Sequence, residues 1–433
     1  MKRGNRIKTS GVNRRLNILA GSLTVFWICL LCFPIYWMVI TSLSGSYSEY
    51  ASGISFLPDI PQRYTVTMDY TEAQRDRLGT DGVYLEANSL LWRMYNYKMA
   101  GTGKAEVIVT VEGEGAVSYT LSKANYEINK EKMWSKSILK HADIERVIPV
   151  IEENGWVAVK ENAQLPKTQK TNQYSEQIFA ELVGDADITG TITGCSYCPS
   201  YDSIFDNYKI AWAYPSKLGI AGGIARPIMN TLFVAVLTIS LNVFVASLAA
   251  YSISKLLPRS IKYKLQLFIM ASGMVPATLT LIPKFQVVQN IGLANSLWAL
   301  ILPGCASFGA MLLFKGTFDA YPNEIIEASR IDGAGELYIF LRVALPAAKG
   351  VVGVQILSIF ASTWNTYFWP SMIIRDESKY TVALILNYMM NIGSNTYPVL
   401  LALGFIISIP TLFVYAFFQK YLTYGIDFSG VKG

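Results

Sequence analysis

The chain has 433 residues, of which 52% are hydrophobic and only 16% are charged. Soluble domains carry about 25% charged residues, so a single soluble domain is excluded, and five cysteines are too few for a disulfide scaffold. The net charge of +6 is unevenly spread: residues 44–214 hold 23 acidic and 16 basic side chains, so the positive excess lies in the remainder.

That remainder is built from charge-free runs. No Asp, Glu, Lys or Arg occurs between Arg15 and Glu49, Arg226 and Lys255, Lys264 and Lys284, Lys284 and Lys315, Lys349 and Arg375, or Lys379 and Lys420. A span needs about 20 mostly apolar residues to cross the hydrocarbon, and each run reaches or approaches that length. The expectation is an all-α polytopic membrane protein with six transmembrane helices, interrupted by an acidic α+β extracytoplasmic domain. The basic excess then fits the positive-inside rule better than nucleic-acid binding.

Residues 1–15 carry six basic side chains and no acids, which places this end in the cytoplasm. The run 16–43 reads as an uncleaved first span, too long for a signal-peptide core. Its Cys29 and Cys32, with Cys305 in a later run, are expected to be buried thiols. Residues 44–214 then lie outside. Strands are expected at Tyr64–Asp69, Ala105–Val111, Ala116–Leu121, Trp156–Lys160 and Asp187–Thr193, where β-branched or alternating residues cluster. Helices are expected at Leu85–Tyr97 and Gln173–Val183, and loops at Gly101–Lys104 (GTGK) and Glu112–Gly115 (EGEG). Trp92, Trp134 and Trp156 either fill a small core or stack on sugars.

GTGK is not a phosphate loop. Lys98 stands where the first glycine is required, and Ala105 follows the lysine. Cys195 and Cys198 form a CxxC that reads as a local disulfide or two free thiols, with no thioredoxin-like context. With one histidine, His141, a zinc site lacks ligands. No catalytic group, cofactor or metal is expected.

Residues 215–420 hold the other five spans. The second covers about 226–254, and the basic residues Lys255, Arg259, Lys262 and Lys264 after it mark a cytoplasmic loop. The third, about 263–285, contains Gly273, Pro276 and Pro283, breakers that are tolerated where neighbours or a water-filled cavity satisfy the freed backbone. A short outer loop, 286–296, precedes the fourth span at about 297–317. The fifth covers about 346–368 and ends at Trp369-Pro370. An outer segment, 371–397, leads to the sixth at about 398–418 and a cytoplasmic tail, 421–433. Both termini are inside, as an even number of spans requires.

Between the fourth and fifth spans lies a cytoplasmic loop, 321–345. Its sequence from Glu324 to Pro346, EIIEASRIDGAGELYIFLRVALP, reads as a short helix, a turn and a second short helix. Ile325, Ile326, Ser329 and Ile331 form one apolar set, and Leu337, Phe340, Leu341 and Ala344 the other. Pro322 starts the first helix, because its missing N–H would be unpaired there anyway. Gly333 takes the left-handed conformation that turns the chain, and Asp332 caps or braces the helix that follows. A compact helical hairpin on that side is a docking surface.

The residues around Glu327 resemble the coupling loop of ABC-importer permeases, the EAA motif. The pattern runs Glu327-Ala328-Ser329, then Arg330-Ile331-Asp332, then Gly333-Ala334, with serine where the third position is usually alanine. Val275–Phe285 with Gly292–Pro303, Ser362–Pro370, Gly430–Gly433 and Phe205–Trp212 resemble the smaller permease of maltose-type carbohydrate systems. The resemblance covers about 16–60 and 203–433 and leaves about 61–202 as an insertion into the first outer loop. It implies a type I importer permease fold in the bacterial cell membrane and a second permease as heterodimer partner. It also implies two cytoplasmic ABC ATPase subunits, an extracytoplasmic solute-binding protein, and carbohydrate as substrate.

On that reading Glu327 makes polar contacts to an ATPase, Ala328 and Ser329 allow close approach, and Gly333 sets the turn, with Asp332 and Ala334 beside it. Met274, Trp364, Asn365 and Tyr367 are candidates for the substrate path, as polar or aromatic groups in apolar spans. Helix packing is the competing account of these four. The rival functions are an ABC importer of another solute and a membrane-anchored glycan receptor without transport. An enzyme is least supported, because no carboxylate pair is singled out by spacing.

Overall fold

The computed structural model describes residues 11–45, 57–58, 60–96, 102–124, 158–160, 189–217, 219–391 and 397–423. The chain forms two compact units, residues 1–211 with 394–405, and residues 212–393 with 406–433.

The first unit begins with helix α1 (Gly11–Leu43). Its apolar part, Asn17–Leu43, has 27 residues, about 40 Å at 1.5 Å per residue, against about 30 Å of hydrocarbon. No residue of its most apolar window is buried within the chain. Cys29 and Cys32 are accordingly exposed, not buried as expected. The helix is pinned at its end. The Ser42 and Tyr208 hydroxyls lie 2.6 Å apart, and Asn207 Nδ2 donates to the Ser42 and Ser44 carbonyls at 2.9 and 2.8 Å.

A five-stranded sheet follows, ordered β4-β3-β2-β1-β5. Strands β1 (Gln62–Tyr70) and β2 (Thr102–Val111) are parallel and joined through helix α2 (Glu72–Asn96). Strands β3 (Ala116–Ser122), β4 (Ala158–Lys160) and β5 (Thr191–Pro199) pair antiparallel with their neighbours. Alternation makes this unit. Val66, Met68 and Tyr70 of β1 and Ala105, Val107, Val109 and Val111 of β2 share one face. They meet Val83, Ala87, Leu90, Leu91 and Met94 of α2, an apolar stripe at helical spacing. Full burial of such side chains contributes roughly 1.5–3 kcal/mol each.

Three expectations change here. The helix begins thirteen residues before Leu85 and is kinked at Gly79 (φ 70°), which hides the first half from a search for unbroken periodicity. The last strand lies at Thr191–Pro199 rather than 187–193, so CxxC is part of a strand. Cys198 in it is a free, exposed thiol. Thr102–Lys104 of GTGK belongs to β2, not to a loop. A Cβ on Gly103 would come within 2.4 Å of Pro61, so close packing explains the glycine, not a turn. EGEG is the β2–β3 turn as expected. The helix expected at 173–183 and the side chains of Trp92, Trp134 and Trp156 lie outside the described residues.

Helix α3 (Asp206–Lys217) connects the two units in sequence. The second unit is helical. Helix α4 (Ala225–Tyr251) continues through a π turn, Ser252–Leu256, into one apolar stretch, Ala225–Leu256. Helices α5 (Arg259–Gly273) and α6 (Ala277–Asn290) meet at a 95° bend. The bend falls at Met274-Val275-Pro276, because proline disfavours helix in the residue before it. The loop expected at 286–296 therefore starts only after Asn290.

Helix α7 (Trp298–Ile301), extended to Gly304, meets α8 (Phe308–Ala320) at 42°. After the loop helices α9 (Asn323–Ile331), α10 (Glu336–Ile339) and α11 (Leu345–Ala347) comes α12 (Lys349–Asn365). Trp369 and Pro370 do not end that helix; they lie inside the next, α13 (Phe368–Ile373). Helix α14 (Val382–Asn391) and the long α15 (Tyr397–Thr423) close the described chain. Among the described residues three helices are long and apolar enough to cross a membrane, and three bent pairs reach that standard together.

Candidate functional site

The hairpin from α9 to α11 is built on one turn. Gly333 has φ +84°, a left-handed conformation that costs other residues about 1–2 kcal/mol. The Gly333 N–H bonds to the Arg330 carbonyl at 3.0 Å and the Ala334 N–H to the Ser329 carbonyl at 3.1 Å. This pair of bonds is the Schellman arrangement, which satisfies carbonyls left open at a helix end. Asp332 is the last residue of that helix end, and Gly335 stands at the cap of α10. The expectation that Asp332 caps the following helix is thereby corrected: the cap lies three residues further on, at Gly335. Pro322 sits at the cap of α9, one place before the first helical residue.

Side chains lock the turn. Arg330 Nε donates to Glu336 Oε1 at 2.6 Å, and the Tyr251 hydroxyl, at the end of α4, donates to Glu336 Oε2 at 3.0 Å. Glu336 beside it raises the Arg330 guanidinium above its ordinary value. At the other end Lys255 Nζ donates to the Tyr321 carbonyl and to Asn323 Oδ1, at 2.7 and 2.6 Å. Ile326, Ile339, Phe340 and Ala344 are buried with Tyr251, Phe314 and Phe318 in one apolar cluster. The Tyr251 and Phe340 rings lie 5.5 Å apart; Tyr251 precedes one π turn, Ser252–Leu256, and Phe340 begins another, Phe340–Ala344. Such turns concentrate at functional sites.

The other side of the hairpin is open. Ile331 is 86% exposed, and Leu337, Tyr338 and Leu341 are exposed with it. Glu327, Ala328 and Asp332 are exposed, while Ser329 and Ala334 are half-buried. The Ser329 hydroxyl donates to the Ile325 carbonyl at 2.8 Å, so the serine hides its polar group and presents a small surface. The expected apolar sets are thus split: Ile326, Phe340 and Ala344 turn inward, and Ile331, Leu337 and Leu341 outward.

The four substrate-path residues fare differently. Met274 stands at the α5–α6 bend and is 83% exposed. Asn365 is exposed at the end of α12 and donates to the Ala361 carbonyl at 2.8 Å. Tyr367 is exposed beside Phe368. Trp364 is buried, stacks on Phe360 and donates to the Ile407 carbonyl at 3.2 Å, so its surroundings are helix packing.

One pair escaped the sequence reading. Lys284 Nζ lies 4.1 Å from the centroid of the Trp369 ring. Trp369 is fixed by its own Nε1 donating to the Ala299 carbonyl at 3.0 Å. A lysine in a span costs about 2.5–3.5 kcal/mol on insertion scales when central, and a cation–π contact returns about 0.5–2 kcal/mol. The available signal was the lone charge inside the third span. Among the described residues no group of three His, Cys, Asp or Glu is placed to hold a metal.

The apolar helices and bent pairs, with an open, apolar-edged hairpin between them, are those of a multi-pass membrane protein. Residues 242–427 match the family described as "Binding-protein-dependent transport system inner membrane component". The chain is 32% identical over 208 residues to the Maltodextrin transport system permease protein MdxG of Bacillus subtilis, covering 47% of this chain and 74% of that one. It is 29% identical over 206 residues to the Arabinooligosaccharides transport system permease protein AraQ of the same organism, covering 47% and 72%. A crystal structure of a bacterial ABC transporter involved in import of the acidic polysaccharide alginate matches 96% of this chain and 100% of its own, with TM-score 0.52 at 16% identity. That likeness shows the fold. The chain belongs to the family of binding-protein-dependent transport system inner membrane components, and as an ABC permease it is a non-catalytic subunit.

Proposed function

We propose that this chain is the permease subunit of an ATP-driven importer for carbohydrate, most simply oligosaccharide, in a bacterial cell membrane. The observation that carries the coupling half of this reading is the hairpin: its turn is locked from within, while Ile331, Leu337 and Tyr338 are left open. Apolar surface of that kind next to a charged rim fits a protein partner. The partner is an ABC ATPase, one of two, contacted through Glu327, Ala328, Ser329, Asp332, Gly333 and Ala334. The sugar half is supported by relatives named for maltodextrin and arabinooligosaccharides.

In this reading each bent pair is one span, giving six, with both termini cytoplasmic. A second permease forms a heterodimer with this one, and a solute-binding protein delivers cargo from outside. Residues 61–202 form an extracytoplasmic insertion that adds a dock for the binding protein. ATP binding closes the ATPase pair, the hairpin moves as a lever, and the spans expose the cargo site alternately. Nucleotide shifts that equilibrium only through differential affinity for the two states.

The test is uptake by the purified importer in liposomes, with binding protein and labelled oligosaccharide. Gly333→Asp is expected to insert normally and to lose ATP-driven uptake. Normal uptake by that variant would remove the hairpin from the mechanism. Failure of every oligosaccharide, neutral or acidic, to stimulate ATP hydrolysis would remove carbohydrate. Deleting 62–202 is expected to weaken binding-protein affinity.

A further inference from the structure

Lys284 is the only charged residue between Lys264 and Lys315. It occupies the inward face of α6. Leu281, Lys284, Phe285 and Val288 share that face by helical spacing, and all four are buried or half-buried, whereas Leu279, Ile282 and Val287 are exposed. The ammonium group therefore lies on the half-buried side of α6, packed against the rest of the unit, and not with the exposed side chains. It rests on the Trp369 ring at 4.1 Å, and Trp369 is 8% exposed and held by Ala299. The ring draws the lysine into a fixed position but supplies no negative charge. Among the described residues no carboxylate pairs with Lys284. A charge kept inside a span faces a path or pairs with a partner, and here the described residues present a positioned cation without an anion.

We propose that Lys284, held against Trp369, is an anion-recognition point on the translocation path, and that its ligand is the carboxylate of an acidic oligosaccharide. This deepens the carbohydrate reading above and rests on it. A single ammonium is a compact point charge with three donors, suited to one singly charged carboxylate. A doubly charged phosphate draws guanidinium forks, and none is present beside it among the described residues. The neighbouring apolar surface, Leu281, Phe285 and Leu300, lowers the local dielectric and strengthens the attraction.

The test compares two cargoes that differ only in charge. Tri-galacturonate and its fully methyl-esterified form are offered, with maltotriose as a neutral reference, to the complete importer in liposomes with its binding protein. Wild type is expected to hydrolyse ATP faster with the acid than with the ester. Lys284→Gln is expected to lower stimulation by the acid about tenfold, to leave the ester within about twofold, and to keep the assembled complex intact on size-exclusion chromatography. Lys284→Arg is expected to retain most of the response to the acid. Stimulation of wild type by maltotriose but not by the acid would overturn the proposal and leave the carbohydrate reading standing. An equal effect of Lys284→Gln on acid and ester, or loss of the assembled complex, would overturn it in favour of a packing or subunit-pairing role. Silence with all three sugars would overturn both readings.

Discussion

Arg330 and Glu336 join the two arms of the hairpin through a 2.6 Å ion pair that spans the turn at Gly333. Glu336 is at the same time the acceptor for the Tyr251 hydroxyl. The pair therefore links three elements: the first loop helix, the second, and the end of the span α4. A force applied to the hairpin reaches that span through Glu336 and through the Phe340–Tyr251 contact.

Glu336→Gln is expected to separate stability from coupling. Both partners are substantially exposed, so loss of the pair costs stability about 0.2–1 kcal/mol, and the chain still assembles. Sugar carried per ATP hydrolysed falls several-fold, because the hairpin arms move independently. The double variant Arg330→Glu with Glu336→Arg recovers part of that ratio. Tyr251→Phe keeps the ring packing and gives a smaller loss. Uptake and hydrolysis measured together in liposomes decide it, and an unchanged ratio in Glu336→Gln would show that the pair is decorative.

The backbone at Gly333 predicts a graded series. Asn tolerates the left-handed region better than other non-glycine residues, Ala is disfavoured by about 1–2 kcal/mol, and a β-branched side chain by more. Coupled uptake should fall in the order Gly, Asn, Ala, Val at equal membrane levels. A Val variant as active as wild type would mean the φ of +84° is not needed.

Much of this architecture is legible in the sequence, for a physical reason. Hydrocarbon imposes long apolar runs, so α1, α4 and α15 are visible as charge-free stretches, and the hairpin is visible because Gly333 and its flanking apolar sets must sit at fixed offsets. The three bent pairs are less legible, since a break such as Met274–Pro276 shows where a helix stops but not that the next leaves at 95°. Register is the other loss. Strand β5 slips by a bulge opposite Thr67 and Met68, and the first half of α2 hides behind Gly79. At the site, which apolar residues face out was unreadable, because one hairpin carries two sets of them. The Lys284–Trp369 pair joins residues far apart in the sequence, and the Arg330–Glu336 pair closes across a turn whose path the sequence does not fix, so only the fold reveals them.

The sheet unit has a polar anchor of its own. Glu86 is buried and accepts from the Tyr70 hydroxyl at 2.8 Å, the Thr189 hydroxyl at 2.8 Å and the Thr189 N–H at 3.1 Å. Glu86→Ala leaves these donors unmatched and is expected to cost about 1–3 kcal/mol, read as a lower midpoint in urea for the tryptophan signal. Burial first, and then the Glu86 carboxylate, push the Tyr70 hydroxyl far above its ordinary range. Burial also raises Tyr119. An unfolded tyrosine ionises near pH ~10 while Tyr70 stays neutral when folded. Stability from this group is fully present below that pH and declines as pH rises above it. Tyr70→Phe should flatten part of the alkaline decline.

Asn295 holds the segment 373–380 in place and gives a protease-readable prediction. It adopts φ 57°, donates its N–H to the Ile373 carbonyl at 2.9 Å, and accepts at Oδ1 from the Arg375 and Asp376 N–H groups at 3.0 and 2.9 Å. Lys379 Nζ donates to its carbonyl at 2.9 Å. Asn295→Ala loses the two side-chain bonds, about 0.5–1.5 kcal/mol each, and adds left-handed strain; Asn295→Gly loses only the bonds; Asn295→Asp keeps the acceptor. Trypsin cleavage after Arg375 and Lys379 should therefore speed up most in the Ala variant, less in Gly and least in Asp. Hydrogen bonds from Ser378 and Lys379 hold the Asp376 carboxyl down at about 2. Its contribution is present above the unfolded value of about 3.9 and is lost as pH falls toward about 2, so protection should not change between pH 5 and 8. The same cleavage rate in all three variants, each compared with wild type at one pH, would mean the segment is held by something other than Asn295.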